Sequence, residues 1–316
     1  MNQALTGSSP TQGQLRLTTK HGRISHCQSQ LQLPPLASLL NGRNYTEISQ
    51  RLQLVYSQCA EAHRWAALSL VEPDTAVNGA THDARAQALW LEWVSEHSWQ
   101  LWRSAQLLLP ACEQRMLLLA QWRQQLASLR QQLAPNRYQC GVRASAAPLA
   151  DLLPWQARWQ QLVYQPLQQA IIESPWAAQF VTEHACMARF ESGAAVRQPP
   201  SQLTIAARFA GLWQECWQAA QWLLQPAAGQ SPLLGAGTIA AARGTLVHRC
   251  HWHSGVADHY QIQIPTEGLL ASISQSLLGT PYHDCPQSRL GLTLWLQSHA
   301  PCVDIEITVT EEPSDA

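Results

Sequence analysis

Two cysteines stand in settings that suit metal chemistry, and a histidine accompanies one of them. Cys59 and His63 lie in Val55-Tyr56-Ser57-Gln58-Cys59-Ala60-Glu61-Ala62-His63, and Cys302 follows Pro301 in Ser298-His299-Ala300-Pro301-Cys302. Thiolates are the soft ligands that bind nickel, iron and zinc. If Cys59 opens or lies in a helix, His63 at i+4 shares its face, and the imidazole is placed to donate a hydrogen bond to a thiolate. The spacing alone does not make a metal site. A structural zinc takes four Cys or His ligands in close pairs, and neither cysteine has such a neighbour. Cys59 and Cys302 are 243 positions apart, so only a tertiary fold can bring them together. In Arg249-Cys250-His251-Trp252-His253 the two histidines would share a strand face; polar alternation on a half-buried strand accounts for them more simply.

The elements that must position these residues are mostly helical. Alternation at Leu15, Leu17 and Ile24 around His21-Gly22-Arg23 predicts a β-hairpin over 14–32, and Pro34-Pro35 ends it. A short helix over 36–40 is stopped at Gly42, and Thr46 is read as the cap of a longer one. Apolar residues at three- and four-residue steps predict helices over 83–109, 112–133, 154–172 and 205–224. Trp90, Trp93, Trp99 and Trp102 fall near helical spacing, a core or partner-facing stripe rather than a cofactor box, and an exposed part of it would be a docking surface. Segments 141–154 and 198–202 read as exposed loops. Period-two alternation over 245–264 around Ser254-Gly255 predicts a second hairpin, 290–298 a final helix, and the residues after Cys302 an extended segment.

Composition bounds the function classes. With 316 residues, 46% of them hydrophobic, the chain can bury a large core. A net charge of −1 offers no field for nucleic acid or anionic lipid. No stretch of about 18 uncharged apolar residues is present, and the first 15 residues are polar, so the expectation is a soluble cytoplasmic protein. Nine scattered cysteines without a Cys-x-x-Cys pair are a reduced-thiol pattern.

Several short motifs then fall in a collinear series. Gln12-Gly13-Gln14-Leu15-Arg16-Leu17 resembles the Glu-Gly-His-x-Arg opening of nickel-iron hydrogenase large subunits, and Leu40-Asn41-Gly42-Arg43 their Leu-x-Gly-Arg step. Glu191-Ser192-Gly193-Ala194-Ala195-Val196-Arg197 resembles their Glu-Thr-Gly-Pro-Leu-Ala-Arg. Ala242-Arg243-Gly244-Thr245-Leu246-Val247-His248 is similar to their Pro-Arg-Gly-Ala-Leu-Gly-His. Tyr260-Gln261, Pro265-Thr266, Gly279-Thr280-Pro281 and Pro301-Cys302 complete the series, which is patchy between Leu68 and Cys186. The resemblance implies an α+β, mostly helical fold with small β-sheets near both ends. It implies one domain over 1–316: an N-terminal hairpin over 10–32, a helical core over 46–225, and a C-terminal hairpin and helix over 243–302.

The departures matter more than the matches. Against the family's Arg-x-Cys-Gly-x-Cys-x-x-x-His, the chain keeps Cys59 and His63 but has Leu54, Tyr56 and Ser57 for the Arg, the first Cys and the Gly. Against Asp-Pro-Cys-x-x-Cys-x-x-His, it keeps Cys302 but has Ala300, Ile305 and Thr308. One thiolate of each pair survives, half of the four that hold nickel in the family, so no nickel and no hydrogen turnover are expected. Gln12 stands where the family has a proton-carrying glutamate, and an amide cannot replace that acid. Arg243 and Thr266 match the arginine and hydroxyl that line the pocket of an iron carrying cyanide and carbonyl ligands, and both can donate hydrogen bonds to cyanide nitrogens.

This combination resembles the HupK/HoxV-type hydrogenase accessory proteins. It implies a non-catalytic scaffold that holds the iron, cyanide and carbonyl unit and contacts maturation proteins and the hydrogenase large subunit. Cys59 would be the first iron ligand, Cys302 a second after local rearrangement, and His63, Arg243 and Thr266 the surrounding groups. The short segment after Cys302 lacks the His-containing sequence at which large-subunit precursors are clipped, so no proteolytic maturation is expected. Two other readings stay open: a degenerate metal-dependent oxidoreductase subunit, and a structural relative that has lost metal binding.

Overall fold

The computed structural model describes residues 12–33, 36–72, 79–177, 179–180, 204–226 and 231–312. The 191–197 motif, the 198–202 loop and Cys186 lie outside them. Strands β1 (Gln12–Lys20) and β2 (Arg23–Gln32) form the expected antiparallel hairpin, turning through His21 and Gly22 at φ 51° and 70°. Leu15, Leu17 and Ile24 point into the core.

Helix α1 (Leu36–Leu40) stops before Gly42 as expected, with Gly42 at φ 71°. The next helix, α2 (Tyr45–Val55), is capped by Asn44 and not by Thr46. The reason is a capping box: the Asn44 side chain accepts from Glu47 N at 3.0 Å, and the Glu47 carboxylate accepts from Asn44 N at 3.2 Å. Helix α3 (Ala60–Ser69) follows, then the long α4 (Gly79–Leu108) and α5 (Glu113–Gln132).

The helix expected over 154–172 is broken. A 3-10 turn (Leu153–Trp155) leads into α6 (Gln156–Trp159), a π turn (Gln160–Tyr164) and α7 (Gln165–Ile172). Pro166 has no N–H to donate one turn back, and the change of register sits beside it. Helix α8 (Ile205–Leu224) packs along α4. The 141–154 loop is exposed over most of its length as expected, and Thr81 and Gln87 of α4 tie down the backbone of Ala144 and Ala147.

A second sheet contains the expected hairpin and two strands that alternation did not reveal. Its order is β3 (Leu233–Gly235), β4 (Thr238–Ala241), β5 (Gly244–His253), β6 (Val256–Gln263), all antiparallel. Helix α9 (Pro265–Leu277) was also not anticipated, although Pro265 at its start and Glu267 in its first turn are helix-start signals. Helix α10 (Pro286–Ser298) begins before residue 290 because the Cys285 side chain caps it, accepting from Ser288 N. Strand β7 (Asp304–Glu311) runs parallel to β1, so the first sheet, ordered β2-β1-β7, joins the two ends of the chain.

Much of the core is tryptophan. Trp90 and Trp93 of α4 are buried, and Trp122 of α5 takes Trp159 edge to face and Trp217 tilted against it, each from another helix. Among the described residues no helix is long and apolar enough to cross a membrane.

Two glycines fix the turns of the second sheet. Gly237 has φ 73°, and a Cβ there would lie 2.1 Å from the His248 carbonyl oxygen. Its own carbonyl accepts from His248 N at 2.7 Å. Gly244 has φ 127° against Pro265. Replacing Gly237 with alanine combines a left-handed backbone with a clash, and should cost about 2–4 kcal/mol in chemical denaturation. Wild-type stability in that variant would show that the turn tolerates a side chain.

Candidate functional site

Cys59 sits at the entry to α3 in the left-handed conformation, φ 53° and ψ 29°, and its thiol makes no cap bond. A residue other than glycine is held there only by its surroundings. The cap is supplied from α4: the Glu92 carboxylate accepts from Glu61 N at 2.6 Å and from Ala62 N at 3.3 Å. Glu92 is buried, and that burial, with Glu61 and Glu96 nearby, raises its pKa well above the carboxylate range.

One turn along α4, Glu96 binds Arg243, which projects from the turn between β4 and β5. Arg243 Nε and Nη2 donate to Glu96 Oε2 at 3.2 and 2.5 Å, and Nη1 donates to the Pro301 carbonyl. Burial opposes the Arg243 charge, but Glu96 and the Cys59 and Cys302 sulfurs outweigh it and raise its pKa. Thr266, in the first turn of α9, completes the strap on the C-terminal segment. Its Oγ1 accepts from Cys302 N at 3.0 Å and lies 2.7 Å from Cys302 Sγ.

The fold therefore gathers four of the five sequence candidates. Cys59, Arg243 and Cys302 lie within electrostatic reach of one another, with Thr266 on Cys302. Both thiols are held up in pKa. Burial, Glu92 and Glu96 raise Cys59 against Arg243; burial raises Cys302 against Thr266 and Arg243. They are protonated thiols at neutral pH, and a metal bound there would displace their protons. Arg243 and Thr266 are committed to Glu96, Pro301 and Cys302 in this state.

His63 has a different set of neighbours. Its ring stacks on Tyr56 at 3.5 Å, and its Nδ1 lies 2.9 Å from His248 Nε2. His248 Nδ1 in turn lies 2.8 Å from the Tyr260 hydroxyl. Burial depresses both histidines, His248 to about 3, and raises Tyr260, so the chain is neutral and the phenol keeps its proton. With Tyr260 donating to His248 and His248 to His63, the remaining proton of His63 is on Nε2. Asn41 holds the strand under Tyr260 by accepting from Tyr260 N at 2.8 Å, while Gly42 and Arg43 pair with Ala257.

The second histidine candidate does not form a site. His251 and His253 are exposed on β5, and a register shift between Arg249 and His251 interrupts the ladder beside them. Among the described residues no three His, Cys, Asp or Glu side chains are grouped to hold a metal. The donor set at the site is two thiols, which does not fit a four-thiolate nickel centre.

This architecture has solved counterparts. The chain is similar to a NAD+-reducing [NiFe]-hydrogenase in the H2-reduced state at a TM-score of 0.59 and 14% identity, covering 89% of this chain and 93% of that one. It is similar to the Ni-Fe-Se hydrogenase of Desulfovibrio vulgaris Hildenborough at 0.58 and 10%, covering 90% and 94%. The Ni-Fe-Se hydrogenase of Desulfomicrobium baculatum gives 0.51 and 12%, covering 90% and 95%. The fold is that of a nickel-iron hydrogenase large subunit. No family profile matches the chain, and no curated protein sequence matches it.

Within that fold, Glu92 and Glu96 are the site residues sequence reasoning missed. Two carboxylates at i and i+4 among the tryptophans of a buried helix were the available signal. His248 and Tyr260 stood in the motifs but had no role until the fold placed them against His63.

Two outcomes follow from this geometry. Glu96→Gln leaves the buried Arg243 without its counter-charge and should cost about 3 kcal/mol in chemical denaturation; an unchanged midpoint would mean that the ion pair contributes nothing. For His248, the folded pKa of about 3 lies below the unfolded value, so its stabilisation is complete above roughly pH 6.5 and is lost as pH falls. Its share should be about 1.5–2 kcal/mol of lost stability between pH 6.5 and 5. Denaturation curves that do not move across that range would contradict a neutral buried relay.

Proposed function

We propose that the chain is a non-catalytic accessory protein of nickel-iron hydrogenase assembly, of the HupK/HoxV type, which holds the iron-cyanide-carbonyl unit before its transfer to the large subunit. The observation that carries this reading is that Cys59 and Cys302 lie within electrostatic reach of one another and of Arg243, with Thr266 on Cys302. Two thiols are half of a nickel centre, yet they suffice for an iron whose other positions are filled by its own cyanide and carbonyl ligands. Fewer protein ligands also favour release by ligand exchange.

The residues have distinct tasks. Cys59 is the first ligand, on a backbone fixed by Glu92. Cys302 is the second, and Thr266 must leave its sulfur for that ligand to bind iron. Arg243, now on Glu96, offers N–H donors to cyanide nitrogens when the cargo is in place. His63, steadied by Tyr56 and His248, keeps a neutral face beside the Cys59 helix. Partners on this reading are the maturation proteins and the large subunit, and the place of action is the cytoplasm.

A second reading is a degenerate hydrogenase-like subunit, and what favours it is that the similar solved structures are hydrogenases. Metal content separates the two. Protein coproduced with hydrogenase maturation proteins and purified without oxygen should carry iron near one equivalent and nickel far below it. Cys59→Ala should remove the iron, and Cys302→Ala should lower it. Stoichiometric nickel with hydrogen uptake would overturn the scaffold reading in favour of the subunit.

A further inference from the structure

A cleft of about 390 Å³ opens between α4 and α5 and reaches the residues that precede Cys59. Ser57 and Gln58, the two residues before Cys59, line it, and so does Glu96, whose carboxylate carries Arg243 on the inner side. The Gln58 Oε1 atom is buried with no donor. The cleft is thus the outer face of the same structural elements that hold the thiols.

Its charge is unbalanced. Arg123 and Arg130, seven residues apart on the exposed face of α5, both line it, with the small Ala127 between them leaving the floor open. Among the described residues neither guanidinium is paired with a carboxylate. Glu96 is the acid of the cleft, and it is neutralised by Arg243. The two guanidiniums are also pre-positioned. Arg123 lies over the Trp99 ring, 5.9 Å from its centroid, and Trp99 is stacked on Trp102 at 5.1 Å and 17°. Arg130 donates to the Ser95 hydroxyl at 2.6 Å. Trp99, a stripe residue without a place in the core, is 37% exposed and acts here as the platform for a cation.

We propose that this cleft is the receiving vestibule of the cysteine site, where Arg123 and Arg130 bind the iron unit through its cyanide nitrogens before it reaches Cys59. The inference rests on the carrier reading for its ligand. Cyanide ligands present anionic nitrogens outward, and planar guanidiniums are suited to donate hydrogen bonds to them. A ligand-lined approach also raises the encounter rate, in a way that salt screens. No bond to iron forms in the vestibule; only the move to Cys59 exchanges a ligand.

The test uses the full chain free of cargo, titrated calorimetrically with hexacyanoferrate(II) and separately with inorganic phosphate. Wild type should bind hexacyanoferrate(II) saturably and more tightly than phosphate. Arg123→Gln or Arg130→Gln should each weaken that binding about tenfold, and high salt should weaken it further. Arg103→Gln, which changes an exposed arginine lining a different cleft, should leave it unchanged. Both test positions are exposed and glutamine is a good helix former, so the variants keep the fold. Absence of saturable binding, wild-type binding in both arginine variants, equal loss in Arg103→Gln, or equally tight phosphate would each overturn the proposal. If wild type binds hexacyanoferrate(II) with this arginine dependence yet carries no iron when coproduced with the maturation proteins, the carrier reading fails while the anion site stands.

Discussion

The buried ion pair between Arg243 and Glu96 is the interaction on which the site depends. It joins three parts of the chain that are distant in sequence: α4, the turn between β4 and β5, and the segment that delivers Cys302. A guanidinium taken out of water is costly unless its donors are used and its charge is met. Here they are used, and the same charge lowers the cost of ionising the two nearby thiols. Glu92, one turn earlier on α4, fixes the backbone after Cys59 as Arg243 fixes the backbone before Cys302. Helix α4 is therefore both the centre of the core and the frame of the site.

Much of this was legible in the residues. Alternation at Leu15, Leu17 and Ile24 and at the Ser254-Gly255 turn marked both hairpins, and helical periodicity marked 205–224 to its ends. The short motifs at 41–43, 243, 248, 260, 266 and 302 were collinear in sequence, and the fold shows why they travel together: Asn41 binds the Tyr260 backbone, His248 binds Tyr260, and Thr266 binds Cys302. What escaped were non-local facts. Parallel pairing of β7 with β1 cannot be read from either strand alone, and two short strands beside the second hairpin carried too few residues to show a period. Asn44 displaced Thr46 as a cap because the reciprocal partner, Glu47, decides between adjacent polar residues. Glu92 and Glu96 were hidden in a helix whose tryptophans dominated its pattern.

The relation to known enzymes is one of architecture, and the chemistry has to be argued from the residues that remain. The chain has one thiol near each end, Cys59 and Cys302, in a frame of the same fold. Around the two thiols stand Arg243 and Thr266, and a neutral histidine relay lies beside the Cys59 helix. On the proposed reading, it is a place for a cargo that arrives with most of its coordination already satisfied.

The measurement that bears most directly on this account is the infrared spectrum of the protein coproduced with hydrogenase maturation proteins and purified anaerobically. The account predicts cyanide and carbonyl stretching bands in the wild type and their disappearance in the Cys59→Ala variant. A wild-type spectrum without those bands, from protein that is folded and coproduced with active maturation machinery, would contradict it.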